Sequence, residues 1–299
     1  MTNKGGKKMF KIKKFSFHYI LFLVLAIFSI SLFVVLAWGF ITSLKDVFEF
    51  RDNKLGFPSQ WKWSNYMTVL NSFEVKIVTT TKIVYYGIVQ MYINSFLYAL
   101  GCALVTVLAH FLVAYAISFF KYKISIFLEC LIVVCMGIPI IGADASMLVL
   151  MYDLGLYDTW IGMLAMKTSF LGVYTLVLIA ALKGVPYSIK EAAEIDGANN
   201  FTIMTLIIFP LVKNIMGVIY LLYFISYWND YQTPLLYLPT KPTMAYGVYY
   251  FNFSTVNKIS AVPYKLCGAM FLFVPILILY VLFNKKLLVG NMTIGAAKE

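Results

Sequence analysis

Charge is what this sequence has least of. Asp, Glu, Lys and Arg make up 12% of the 299 residues, against roughly one quarter in soluble domains. Too few polar side chains remain to coat a water-soluble globule of this size. The same shortage excludes a disordered tail, because 62% of the chain is hydrophobic. Acids are scarcer still, 13 against 24 bases, and the net charge is +11. A nucleic-acid binder would gather its cations on one wetted face, whereas here they fall between long apolar runs. The four cysteines, Cys102, Cys130, Cys135 and Cys267, lie inside those runs and form no C-x-x-C. They read as buried thiols rather than a disulfide framework. Neither His18 nor His110 has a Cys, His or carboxylate at ligand spacing, so no metal site is expected. No His/Asp/Glu/Ser constellation gathers on one side, and no G-x-x-x-x-G-K-S/T loop occurs. A membrane enzyme is therefore disfavoured, and ATP chemistry is not expected of this chain.

What is abundant is the long apolar run. A membrane-crossing helix needs about 20 mainly apolar residues. Six stretches qualify: Phe17–Leu44, Met91–Phe119, Ile124–Tyr152, Trp160–Leu182, Leu211–Trp228 and Ala261–Phe283. Each is continuous rather than alternating, which favours helices over barrel strands. The expectation is an all-α membrane protein with six transmembrane helices. The basic start followed by an apolar stretch resembles a signal peptide, but the stretch outlasts an h-region and no small-residue cleavage site follows, so it reads as a retained first span.

Lys and Arg set the orientation, since they concentrate on the cytoplasmic side. Counting by loop places residues 1–16, 120–123, 183–213 and the tail from 285 on one side. That side holds Lys4, Lys7, Lys8, Lys11, Lys13, Lys14, Lys121, Lys123, Lys183, Lys190, Lys213, Lys285, Lys286 and Lys298. Ten of the eleven net positive charges fall there, so both termini are expected in the cytoplasm. Trp38, Trp160 and Trp228 then sit at outer helix ends, with Trp61 and Trp63 in the outer loop, as an interfacial aromatic prefers. The implied organisation is a basic tail at 1–16, a transmembrane domain at 17–284 with an outer loop at 45–90, and a cytoplasmic tail at 285–299.

One cytoplasmic loop, 183–210, is long and carries acids. Ser188 and Glu191 have capping-box spacing, Pro186 suits a chain entering a helix, and Gly197 suits a left-handed stop. Asn199 or Asn200 can cap a second short helix, which Pro210 would end before the fifth span. Ala192 and Ala193 give a small-residue face. On its own this is a helix-turn-helix between two spans, or an amphipathic loop lying on the bilayer.

The stretch closely resembles the EAA loop of binding-protein-dependent ABC importers, E-A-A, three residues, Gly, then I-x-L-P. Glu191, Ala192, Ala193 and Gly197 match in register, with Ile208 and Pro210 at the far end and Phe209 in place of Leu. Nearly the whole chain is similar to the maltose-type carbohydrate permeases. Thr42-Ser43-Leu44-Lys45 resembles the family's S-x-K, Trp63-Ser64-Asn65-Tyr66 its N-Y, and Asn94-Ser95 its N-S. Trp228-Asn229-Asp230 resembles W-N-E with Asp for Glu, and Val289, Gly290, Gly295, Ala296, Ala297 and Lys298 resemble the G-x-x-x-G-A-x-K ending.

The resemblance implies a permease subunit that binds no cofactor itself and pairs with a second homologous permease as a heterodimer. ATP and Mg would sit on cytoplasmic ATPase subunits, and an extracellular sugar-binding protein would deliver an oligosaccharide. Glu191, Ala192, Ala193 and Gly197 would couple to the ATPase, with Glu191 as cap or as partner to a basic residue. Ionisable groups inside spans default to function. Asp144 and Lys167 lie roughly 10–12 Å deep on consecutive helices at 1.5 Å per residue, so they are expected to pair or to line the solute path. Glu129 is expected to snorkel to the cytoplasm. Tyr227, Trp228 and Asn229 either anchor the membrane interface or offer ring faces and an amide where solute would enter, and Tyr246, Tyr249, Tyr250 and Phe251 are expected to face the binding protein. The competing class, a stand-alone secondary transporter or channel, calls for inverted repeats and Gly/Pro-broken paired spans, which the sequence does not suggest.

Overall fold

The computed structural model describes residues 5–79, 82–120, 123–138, 142–253 and 260–287, with side chains described between 18 and 281. The expected ending from Val289 to Lys298 and the basic residue Lys121 lie outside the described residues. The chain forms two compact units, Met1–Ser72 with Thr255–Met270 and Phe73–Ser254 with Phe271–Glu299.

The first unit is built on α1, Gly5–Ser43. Its segment His18–Ser43 has mean hydropathy 3.1 with none of the apolar window buried, as expected of a helix that meets lipid on every side. After α1 the chain forms two short helices, α2 (Val47–Asp52) and α3 (Ser64–Ser72). Two sequence motifs that seemed unrelated meet here. Asn65 Nδ2 donates to the carbonyls of Ser43 and Lys45 at 2.9 and 2.8 Å, and the Tyr66 hydroxyl lies 2.7 Å from Ser43 Oγ. Lys45, with 0% exposure, donates from Nζ to the Asn53 carbonyl at 2.7 Å. The N-Y element therefore ties down the S-x-K element. Trp38 Nε1 reaches the Lys54 carbonyl at 2.9 Å. Lys62 pairs with the Asp46 carboxylate. That bond, helped by the Phe48 N–H, holds the Asp46 carboxyl below its usual value.

The second unit opens with an antiparallel hairpin, β1 (Glu74–Val78) paired to β2 (Ile83–Gly87). The chain is mostly helical, in keeping with the expected all-α membrane protein, and this short hairpin is a local addition to it. Glu-Val-Lys-Ile-Val and Ile-Val-Tyr-Tyr-Gly are rich in β-branched and aromatic residues that alternate, the pattern of a half-buried strand. Everything else here is helical. The helix α4 (Ile88–Phe119) is the long central element. It is followed by α5 (Lys123–Gly137), α6 (Ala143–Asp153), α7 (Trp160–Lys167), α8 (Val173–Lys183) and α9 (Tyr187–Ile195). Then come α10 (Asn200–Thr202), a π-helical turn at Ile203–Ile208, α11 (Phe209–Asn229), α12 (Gln232–Tyr237) and α13 (Met244–Phe253); α14 (Val262–Leu287) belongs to the first unit as far as Met270 and to the second from Phe271. The helices α7, α8, α11 and α13 pack on α4.

Among the described residues, four helices are long and apolar enough to cross a membrane: His18–Ser43, Ile88–Phe119, Asn200–Asn229 and Val262–Val281. Counting α8 and α9 as one span bent by 67° makes five. The third and fourth expected spans are not continuous. The third divides into α5 and α6, where Gly142 takes φ +81 and a right-handed helix cannot run through. The fourth divides into α7 and α8 across residues 168–172. There the Thr168 hydroxyl bonds back to the Leu164 carbonyl at 2.7 Å and Gly172 is extended.

Pro210 does not separate a short helix from the fifth span, as the sequence had suggested. The chain is helical from Asn200 to Asn229, because the π turn shifts the bonding register ahead of the proline. Phe209 N–H bonds to Met204 O, five residues back, and Pro210 falls in the first turn of α11, where its missing donor is not needed. The thiols also divide: Cys102 and Cys267 are buried, whereas Cys130 is exposed on α5.

Replacing Asn65 with Ala removes the donor for two buried carbonyls. It should lower stability by about 1–3 kcal/mol, read as a lower melting temperature of the detergent-solubilised protein; an unchanged melting temperature would contradict the pairing of the two motifs.

Candidate functional site

Four residues of α4 recur at four-residue intervals: Tyr98, Cys102, Thr106 and His110. A helix places that spacing on one face, and all four are buried at 1–2% exposure. Opposite them stand Tyr223 and Tyr227 of α11, Asp230 just beyond it, Lys167 at the last position of α7, and Thr175 in the first turn of α8.

The rungs of this ladder are specific. At one end the Tyr98 hydroxyl donates to Asp230 Oδ2 at 2.8 Å, while Lys167 Nζ lies 3.3 Å from the same oxygen and 3.2 Å from Thr233 Oγ1. The Thr233 N–H donates to the other carboxylate oxygen at 3.0 Å. In the middle, Thr106 Oγ1 shares its one proton between the Cys102 carbonyl at 2.7 Å and the Lys167 carbonyl at 2.8 Å, and lies 3.0 Å from the Tyr227 hydroxyl. At the far end His110 Nδ1 lies 2.5 Å from Thr175 Oγ1, and its Nε2 lies 2.6 Å from the Tyr223 hydroxyl. Aromatic faces join the rungs. Lys167 Nζ sits 4.9 Å above the Tyr227 ring, which stacks on Tyr223 at 5.7 Å, and Tyr223 stacks on His110 at 5.4 Å.

The ladder explains why the fourth run can break inside an apolar layer. Unpaired backbone groups at membrane depth are tolerated only where side chains satisfy them. The carbonyl of Lys167 is taken up by Thr106 and that of Phe170 by Thr175. Lys167 ends α7, where a cation also suits the negative end of the helix dipole. The result is a seam of hydroxyls, ring faces and one charge-neutral ion pair.

The expected site residues divide accordingly. Lys167 and Tyr227 are in the ladder. Asp144 is not Lys167's partner; its carbonyl and carboxylate take the Tyr237 hydroxyl at 3.0 and 3.4 Å. Depth alone suggested that pair, whereas Asp230 reaches Lys167 from the end of α11. Trp228 is closed in packing at 1% exposure, with Nε1 on the Leu272 carbonyl at 3.0 Å and its ring against Phe96 at 4.9 Å. Asn229 is exposed and turns its amide back onto the Ile225 carbonyl at 2.9 Å. Tyr246 and Phe251 are buried rather than presented outward, and Tyr249 stacks on Tyr231 at 4.5 Å. The sequence reading missed Tyr98, Thr106, His110, Thr175, Tyr223 and Asp230. The four-residue spacing of polar groups in an otherwise apolar run was the signal for those on α4.

A second feature lies at the other end of α4. The helix α9 turns Lys190 and Ala193 inward and leaves Glu191, Ala192 and Glu194 exposed, with Ile195 at 85% exposure. Ala192 and Ala193 thus lie on different faces. The expected capping box is not formed. Pro186, with its φ fixed by the ring, is the residue before the helix, which starts at Tyr187 without a side-chain cap. Ser188 is already helical, and Glu191 is exposed on the surface of the helix. The stop is as expected. Gly197 takes φ +83, with its N–H on the Glu194 carbonyl and that of Ala198 on the Ala193 carbonyl, a Schellman closure. Asn199 Oδ1 then caps the next turn at Thr202 N, 2.8 Å away. Nearby, Glu129 is paired with Lys183 at 2.8 Å.

Membrane-length helices around a polar seam, with an exposed helix set between two of the apolar runs, define a transport permease. The chain belongs to the family of binding-protein-dependent transport system inner membrane components, which it matches over residues 107–288. It is accordingly a multi-pass protein of the plasma membrane. It is 27% identical to a probable starch degradation products transport system permease protein, AmyC, of Thermoanaerobacterium thermosulfurigenes, over 93% of this chain and 94% of that protein. It is 24% identical to the trehalose transport system permease protein SugB of Mycobacterium tuberculosis, over 87% and 90%. A 143-residue stretch, 48% of this chain and 50% of the relative, is 29% identical to the sn-glycerol-3-phosphate transport system permease protein UgpE of Brucella abortus. The fold matches a chain of a bacterial ABC transporter involved in the import of the acidic polysaccharide alginate, with TM-score 0.72 over 95% of this chain and 99% of that one, at 20% identity.

Removing one member of a largely buried ion pair strands the other, at a cost of about 3–5 kcal/mol. Asp230→Ala should therefore lower the melting temperature markedly, and Asp230→Ala with Lys167→Met should recover much of it. Asp144→Ala and Lys167→Met should add independently. Strong coupling of the latter two, or none between Asp230 and Lys167, would refute the assignment.

Proposed function

We propose that this chain is the permease subunit of an ATP-driven importer of carbohydrate, and that it forms half of the translocation pathway beside a second, homologous permease. The observation that carries this reading is the ladder on α4, a row of hydroxyls and ring faces along an otherwise apolar helix, whose α4 side chains are closed here at 1–2% exposure and would part to admit a solute. Sugars bind through such groups, and the neutralised Lys167–Asp230 pair suits an uncharged oligosaccharide. The sugar-transport names of AmyC and SugB support the same solute class.

The coupling part of the proposal rests on α9. With Lys190 and Ala193 turned inward, the exposed Glu191, Ala192 and Ile195 would dock on a cytoplasmic ATPase subunit, which would bind ATP and Mg. Gly197 would hold the turn that sets the angle of α9. Charge asymmetry supports six spans with both termini and the 183–210 loop in the cytoplasm, a basic tail at 1–16 and a second tail at 285–299. The outer loop 45–90 would meet an extracellular sugar-binding protein. A stand-alone transporter for a small polar solute is favoured by one observation, the broken third and fourth runs. Family membership and the exposed outer face of α9 weigh against it.

The test is uptake of radiolabelled maltotriose and trehalose into cells that co-express this chain with its neighbouring permease, ATPase and binding-protein genes. Uptake should require a hydrolysis-competent ATPase. Gly197→Val forces a β-branched residue into left-handed geometry, which costs about 1–2 kcal/mol. It should abolish uptake while leaving the protein in the membrane. Uptake without an ATPase would favour the stand-alone transporter, and normal uptake by Gly197→Val would remove α9 from the mechanism.

A further inference from the structure

We propose that Lys190 is a positioning residue that clamps α9 to the end of α4, so that a push on the outer face of α9 is delivered to the helix carrying the polar ladder. This rests on the coupling role proposed for α9 and assigns its transmission to one side chain.

Three charged residues lie on α9, and Lys190 is the one turned inward, its side chain 6% exposed against 44% for Glu194. A lysine is almost never buried without partners. Here Nζ lies 3.2 Å from the Glu194 carboxylate one turn on, and 3.5 Å from the carbonyl of Phe119, the last residue of α4. It also sits 5.0 Å over the Phe120 ring and 5.4 Å over the Tyr187 ring. The last carbonyls of a helix lack intrahelical donors and carry the negative end of its dipole. A buried ammonium supplies both a donor and the complementary charge. The two helices also touch through apolar groups. The Tyr187 ring stacks on Phe119 at 6.4 Å, and Ala193, on the same face as Lys190, is buried in the cluster that contains Phe119.

The turns at its two ends set where α9 begins and stops: a 67° bend separates it from α8, and it closes at the left-handed Gly197. What seats it on the end of α4 is side-chain contact, and the ammonium–carbonyl contact is the directional one. An exposed i,i+4 pair with Glu194 would account for the ion pair but not for the burial of the lysine or its placement on the α4 carbonyl. From Phe119 the helix α4 runs unbroken back to His110, Thr106 and Tyr98, so movement of its end is movement of the ladder.

The test uses the full transporter in membranes. Lys190→Met keeps the length of the side chain and removes the charge; Lys190→Arg keeps the charge. The Met variant should reach the membrane, retain the ATPase through purification and keep basal ATP hydrolysis. It should lose about tenfold in uptake, a typical coupling magnitude, and its hydrolysis should no longer respond to solute-loaded binding protein. The Arg variant should recover most of both. Wild-type uptake by Lys190→Met, or failure of Arg to do better than Met, would overturn the clamp. If Lys190→Met does not accumulate, Lys190→Gln, which keeps a donor for the carbonyl but no charge, is measured in its place. It should show intermediate stimulation, and full stimulation would overturn the proposal. If the wild-type chain itself shows uptake independent of any ATPase, the coupling role of α9 fails instead, an outcome distinct from loss of the clamp alone.

Discussion

The structure depends on one constraint: a polar group placed at membrane depth is costly unless it finds a partner within the protein. Water is absent there, so an unsatisfied hydroxyl, imidazole or carbonyl costs several kcal/mol by a general estimate. The ladder on α4 meets that constraint collectively. Tyr98, Thr106 and His110 each bond to a group from another element, and in doing so they fix α7, α8 and α11 around α4. The break in the fourth run belongs to the same arrangement, since the carbonyls it frees are the ones that Thr106 and Thr175 accommodate. A polar seam and an interrupted helix are thus two aspects of one solution.

This gives α4 two regions with different chemistry. Its middle, from Tyr98 to His110, carries hydroxyls, stacked rings and a neutralised ion pair. At its end the Phe119 carbonyl accepts from the buried Lys190 of α9. A continuous 32-residue helix joins them, and a helix transmits axial and tilting displacements with little loss. Alternating access in such a layout needs no flexible wire. It needs a rigid element whose ends face two different partners.

Composition and hydropathy carried much of the fold. The membrane class and four of the spans follow from apolar runs alone, and Gly197 and Asn199 behave as local chemistry requires. The third and fourth runs were misjudged because hydropathy measures apolarity, not continuity, and neither Gly142 nor Thr168 lowers it enough to mark a break. The hairpin at 74–87 was passed over as loop, although its residues are strand formers. The site was less legible. Asp144 and Lys167 were matched on depth, but a partner from beyond the end of α11 was closer, and no one-dimensional reading of depth can see an element that arrives from elsewhere in the chain. Trp228 was assigned to the solute path for its ring, yet a large ring with a bonded N–H serves equally well as a core anchor. By contrast, the weak motifs Ser43–Lys45, Asn65-Tyr66 and Asn94-Ser95 gain meaning only in three dimensions. The first two bind each other, and the third takes the Pro242 carbonyl and the Met244 N–H at 3.0 and 2.6 Å.

The central claim is that the α4 ladder lines a path open alternately to the two sides of the membrane. Thiol accessibility at its middle rung tests this most directly. With Cys102, Cys130, Cys135 and Cys267 replaced by Ser or Ala and Thr106 by Cys, the assembled transporter is exposed to a membrane-impermeant maleimide applied from either side. The account predicts labelling from the cytoplasmic side without nucleotide and from the outer side when ATP is trapped on the ATPase. Absence of labelling from both sides in both states would show the ladder to be sealed core and would contradict the account.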